Sequence, residues 1–116
     1  MRGAFAEIQF AAECLSRGIN PSRPMAVTRY DLLSEHNGKI LRIQIKLTTH
    51  LETRNSEGCY KTSGGGYTKD EVDIIAVYIN GDFYIIPINL LNGTKTIRVY
   101  TETRHKEFKN AYNLLM

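Results

Sequence analysis

Apolar and polar positions alternate most cleanly on either side of His36-Asn37-Gly38-Lys39. Asn-Gly between two alternating runs predicts a tight hairpin, because a primed turn needs residues that tolerate positive φ. The pattern predicts strands over 27–33 and 40–47. A turn centred on Asn37-Gly38 sets Asp31 directly opposite Gln44. Side chains alternate with period two, so Lys46 falls on the same face, diagonal to Asp31. Ile40, Arg42, Arg29 and Leu33 share that face, while Leu41, Ile43, Ile45 and Leu47 point to the core.

A helical period runs over 4–17. Ala4, Ile8, Ala11 and Leu15 form its apolar face, widened by Phe5 and Ala12, and Gly18 is the expected stop. Glu7 lies one turn from both Ala4 and Ala11, at the edge of that stripe. Two prolines make 20–24 a loop. Residues 49–71 read as a long polar connection containing Gly64-Gly65-Gly66, a run read as flexible. The nearly continuous apolar run at 72–79 predicts a strand buried on both faces, hence central. A second Asn-Gly, Asn80-Gly81, returns the chain into 83–88, where Pro87 suits a sheet edge. Residues 97–100 form a further short strand, and 104–115 a second helix with Phe108, Ala111, Tyr112 and Leu115 on one face. The fold class is α/β: a central mixed, largely antiparallel sheet of four to five strands flanked by an N-terminal and a C-terminal helix. The whole of 1–116 reads as a single domain.

Composition narrows the function. The chain has 116 residues, and no apolar stretch approaches the roughly 20 residues of a membrane helix. An acid, Glu7, stands where an export signal would be apolar. Cys14 and Cys59 make neither a disulfide framework nor a zinc pattern with the three histidines, so a reducing, cytoplasmic setting is expected. Cys14 reads as a small core residue. A net charge of +3 is compatible with a nucleic-acid partner without requiring one.

Glu7, Asp31 and Gln44, if they meet, supply hard oxygen donors of the kind Mg²⁺ prefers. Lys46 beside them would position a water or balance charge developing on a phosphate. On residue types alone, a solvated hairpin face weighs as heavily. The two readings part on whether Glu7 lies near Asp31.

In order and spacing, Gly3-Ala4-Phe5-Ala6-Glu7, Arg29-Tyr30-Asp31-Leu32-Leu33 and Gly38 to Lys46 resemble the PD-(D/E)XK nuclease superfamily. More narrowly, the pattern is similar to the small branch of group I intron homing endonucleases and archaeal-type Holliday junction resolvases. The likeness extends through Cys59-Tyr60-Lys61-Thr62-Ser63 and Asp73 to Tyr78 as far as Phe83-Tyr84-Ile85-Ile86-Pro87. It implies a restriction-endonuclease-like core and a Mg²⁺-dependent DNA endonuclease, with Mn²⁺ able to substitute. Its action would be homing-like or directed at Holliday junctions and other branched DNA. Asp31 would be the central metal ligand, Lys46 the motif lysine, Glu7 the helix carboxylate, and the main-chain carbonyl of Ile45 a further ligand. Gln44 stands where Asp or Glu is usual, a departure known in the homing branch, and Tyr30 replaces the proline of the motif's name. Arg23, Arg29, Arg42, Arg54, Lys61 and Lys69 are candidate phosphate contacts, and Tyr60 and Tyr67 candidates to pack on sugars or bases. Cutting two strands implies a homodimer or homotetramer, with the last helix as its meeting surface. The alternative is a non-catalytic DNA-binding or assembly subunit that keeps the nuclease fold.

Overall fold

The structure, a computed structural model, describes residues 2–52, 58–91 and 93–116. Helix α1 (Arg2–Ser16) ends where Gly18 takes φ +76° and the Ile19 amide returns to the Cys14 carbonyl at 2.9 Å. Its buried face is Ala6, Phe10 and Cys14, and the face expected from Ala4, Ile8 and Leu15 looks outward, with Ile8 62% exposed. Both sets recur at helical spacing, so periodicity could not choose between them. Phe10 decides, because its ring fits between Phe83 and Tyr112, with centroids at 5.1 and 6.1 Å. Burial pushes the Cys14 thiol up to about 12, and Cys14 packs as the small core residue expected.

Among the described residues eight strands follow: β1 (Asn20–Ser22), β2 (Leu32–His36), β3 (Lys39–Leu47), β4 (Leu51–Glu52), β5 (Cys59–Thr62), β6 (Ile74–Ile79), β7 (Asp82–Pro87) and β8 (Ile97–Tyr100). The main sheet has the order β1-β2-β3-β6-β7, antiparallel except where β3 and β6 run parallel. It is the mixed, largely antiparallel sheet that the pattern implies. Both Asn-Gly pairs sit at positive φ, Asn37 +50° and Gly38 +84°, Asn80 +50° and Gly81 +86°. The hairpin register is the expected one, with Leu32 opposite Ile43. In β6, Ile74 and Ala76 pack toward α1, and Ile75, Val77 and Ile79 join a second cluster on the opposite face. Burial on both faces explains the unbroken apolar run.

Four further expectations change. The first hairpin strand begins at Leu32, not at 27. The proline segment contributes an edge strand, β1, in which Pro21 lies opposite Ser34; an edge tolerates a residue without an N–H. The polar connection 49–71 contains β4 and β5, which pair with β8 in a small antiparallel sheet. The C-terminal helix is absent. Residues 104–115 form two 3-10 turns, Lys106–Phe108 and Tyr112–Leu115, separated by Asn110 at φ +51°. The Asn110 amide nitrogen donates to Asp82 at 2.9 Å and its amide oxygen accepts the Phe83 N–H at 3.0 Å. Those bonds fix the chain along the β7 edge, which it covers, and stop helical propagation. Tyr112 and Leu115, expected on the meeting surface of a last helix, are buried within the chain instead. No described helix is long and apolar enough to cross a membrane.

His105 fastens this C-terminal segment. It is 3% exposed, and its Nδ1 accepts the Tyr100 N–H at 2.9 Å, which requires the neutral ring. Burial, with Arg104 second, holds its pKa below the usual histidine range. The unfolded chain therefore binds the proton first, and stability is lost as pH falls from about 6.5 through the folded value. Melting followed by circular dichroism between about pH 8 and 5 is expected to show this fall, and His105→Gln to flatten it.

Candidate active site

The β2–β3 ladder runs out at Leu32 opposite Ile43, with the Asp31 N–H still reaching the Ile43 carbonyl at 2.8 Å. Ile45 is thereby left without a strand on that side. In an extended chain one residue's N–H and C=O point the same way, so both Ile45 groups face the gap. Asp31 Oδ2 fills half of it, accepting the Ile45 N–H at 2.9 Å. The Gln44 side chain, buried at 8% exposure, lies against the Ile45 carbonyl, its amide nitrogen at 3.4 Å from that oxygen. Amide nitrogen and oxygen are interchangeable by a half-turn, which would bring Oε1 to the same place.

Glu7 arrives from α1. Its position beside the buried Ala6 leaves its carboxylate only partly exposed, with the Arg23 guanidinium 4.0 Å away. Burial first, and then the Asp31 charge, raise the Glu7 carboxyl above its usual pKa, against the pull of Arg23. Burial also raises Asp31, opposed by the Ile45 N–H and the charges of Lys46 and Arg23. Two carboxylates are thus gathered in a half-buried place at an energetic cost that a cation would offset.

Lys46 extends over the Tyr67 ring, its Nζ 5.4 Å from the centroid. The Gly64 backbone crosses so near that a Cβ there would lie 3.1 Å from Nζ. The glycine run, read as flexible, is held in place: Gly65 and Gly66 amides bond the Lys95 and Thr94 carbonyls at 2.9 and 2.7 Å. A Cβ on Gly65 would fall on the Thr94 carbonyl oxygen. Glycine is needed there for close approach.

The donor set suits a hard divalent cation: two carboxylates, a main-chain carbonyl and an amide oxygen. With Gln44 where a further carboxylate could stand, the set has less negative charge than an all-carboxylate site, and among the described residues no group of three or more His, Cys, Asp or Glu could hold a metal. Such a site leaves ligand positions for water and phosphate oxygens.

The expected phosphate contacts divide. Arg23 is widely exposed beside Glu7. Arg29 is shared between Glu71, at 3.3 Å, and the Tyr67 ring, at 4.3 Å. Arg42 is committed internally, to both oxygens of Asp73 and to the Lys69 and Asp70 carbonyls. Burial raises the Asp73 carboxyl, but hydrogen bonds from Arg42 and its charge hold it below its usual value. Tyr67 is 8% exposed under two cations, so its ring positions Arg29 and Lys46 and is covered against sugars and bases. Lys69 is exposed, and Tyr60 hydrogen-bonds Asn80 at 2.9 Å. Lys61 lies on β5 beside a cation that the sequence reading missed, Arg98 on β8. The alternation of Ile97-Arg98-Val99-Tyr100 turns Arg98 outward, but nothing in the sequence pairs β8 with β5. Arg54 lies outside the described residues.

The profile of a family described as PD-(D/E)XK endonuclease matches residues 1–114. No curated protein sequence matches the chain. Among solved structures, a bacterial homing endonuclease, I-Ssp6803I, superposes with a TM-score of 0.79 at 20% identity, over 97% of this chain and 89% of that one. The Holliday junction resolvase Hjc of the archaeal hyperthermophile Archaeoglobus fulgidus superposes with a TM-score of 0.68 at 13% identity, over 99% and 96%. At these identities the two structures establish a shared fold.

Proposed function

The chain belongs to the PD-(D/E)XK endonuclease family, and from that premise we propose that it hydrolyses DNA phosphodiester bonds using Mg²⁺, with Mn²⁺ as a substitute. Glu7, Asp31, the Ile45 carbonyl and the Gln44 amide oxygen would hold the cation. When bound, it would polarise the phosphate and ease deprotonation of a water. Asp31 anchors the set, because its second oxygen is already fixed on the Ile45 N–H. Lys46 balances charge on the phosphate or steadies the attacking water. One observation supports the reading most: at the strand end before Lys46, Asp31 Oδ2 holds the Ile45 N–H at 2.9 Å and the Gln44 amide lies 3.4 Å from the Ile45 carbonyl, while Glu7 of the helix is near enough for the Asp31 charge to raise its pKa. A solvated hairpin would not gather them.

One such site cuts one strand, so acting on a duplex or junction calls for at least two copies related by a two-fold axis. The reading fits homing-like and junction-resolving substrates alike. Gln44, in place of a carboxylate, favours a second reading, a DNA-binding subunit without turnover. Plasmid, linear duplex and four-way-junction DNA, each incubated with the protein in Mg²⁺, Mn²⁺ or chelator, separate these. Cation-dependent cutting supports the nuclease, and the preferred DNA names its action. DNA binding without any cutting supports the second reading and sinks the first.

A further inference from the structure

Beyond Lys46, the end of β3 and the small sheet enclose a polar groove of about 450 Å³, with Thr48, His50, Lys61, Ser63, Thr96 and Arg98 in its lining. Lys61 and Arg98 are direct partners in the β5–β8 register. Like charges placed opposite each other weaken a sheet. Both reach the same oxygen of Glu52, Lys61 Nζ at 3.6 Å and Arg98 Nε at 3.5 Å. Among the described residues one carboxylate meets the two cations, which leaves the pair a net positive charge in a groove otherwise lined largely by hydroxyls. A lysine and an arginine held together against their mutual repulsion suit an anion.

The groove is also fixed relative to Lys46. Thr48 Oγ1 donates to the Lys61 carbonyl at 2.6 Å, the His50 N–H donates to Thr48 Oγ1 at 3.0 Å, and the Lys61 N–H donates to the His50 carbonyl at 3.0 Å. These bonds tie β5 to Thr48 and His50, just past the end of β3. We infer that the groove holds backbone phosphates of the DNA strand beside the cut, with Lys61 and Arg98 on the phosphate oxygens and Ser63 as a hydroxyl donor. This rests on the nuclease reading, and it makes Arg98 a contact for the substrate strand.

The test is binding of a fluorescein-labelled duplex, by anisotropy in chelator so that nothing is cut, over a range of salt. Lys61→Gln with Arg98→Gln is expected to weaken binding about tenfold or more at low salt. It should also reduce the slope of log K against log salt by up to about 2, and Arg98→Gln alone by about 1. The Glu52 carboxylate, only 10% exposed, loses both of these cations in the double variant, so that variant's melting temperature is expected to fall, and binding is compared below the melting transition of each variant. Lys109→Gln, removing a cation paired with Asp82 on the β7 edge, serves as the control and should change binding little. If folded Arg98→Gln and the double variant bind with the wild-type affinity and slope, the groove is not a phosphate site. That failure is distinct from failure of the nuclease reading, in which wild type binds DNA through this groove and does not cut.

Discussion

Asp31→Asn is expected to slow cation-dependent cleavage by about a thousandfold or more while leaving the protein folded. Asp31 does two jobs that this substitution separates. Its Oδ2 accepts the Ile45 N–H at 2.9 Å, holding the strand end in shape, and the asparagine oxygen can keep that bond. The negative charge is lost, and with it one of two carboxylates available to a cation. In the metal-free protein that charge is a burden, because burial opposes it and it repels Glu7. The melting temperature of metal-free Asp31→Asn should therefore match or exceed that of wild type. Plasmid nicking rates read the first effect and circular dichroism the second. A rate within tenfold of wild type would remove Asp31 from the centre of the mechanism.

Lys46→Met is expected to lower the single-turnover rate by about a hundredfold or more, with DNA affinity changed far less. Methionine retains an unbranched apolar stem over Tyr67, so packing survives and only the ammonium goes. Arginine should not rescue. Its planar fork is larger than an ammonium, and the Gly64 backbone already closes on Nζ. Measuring the rate and the dissociation constant separately distinguishes loss of a transition-state contact from loss of a binding charge. A parallel fall in both would make Lys46 an ordinary phosphate contact.

The parts of this site set by local rules could be read along the chain. Asn37-Gly38 fixed the hairpin register, and with it the placing of Asp31, Gln44, Ile45 and Lys46 around one strand end. What depended on distant packing was not legible. Helix α1 offers two apolar stripes, and the choice rests on Phe83 and Tyr112, far along the chain, which receive Phe10. The Lys61–Arg98 pair likewise depends on two strands well apart in sequence meeting in the small sheet. The last segment has a helical spacing of apolar residues, but Asn110 spends its side chain on the β7 hairpin and breaks it. Tyr67, a candidate to pack on sugars or bases, is instead covered by Arg29 and Lys46, which reach it from distant parts of the chain.

The most direct measurement is Mn²⁺ binding to the free protein, followed by loss of the free-ion paramagnetic resonance signal, in wild type and in Asp31→Asn. Wild type is expected to bind Mn²⁺ that excess Mg²⁺ displaces, and the variant to bind little or none. Equal binding by both proteins would place the metal elsewhere and contradict the assignment of Glu7, Asp31, Gln44 and Ile45.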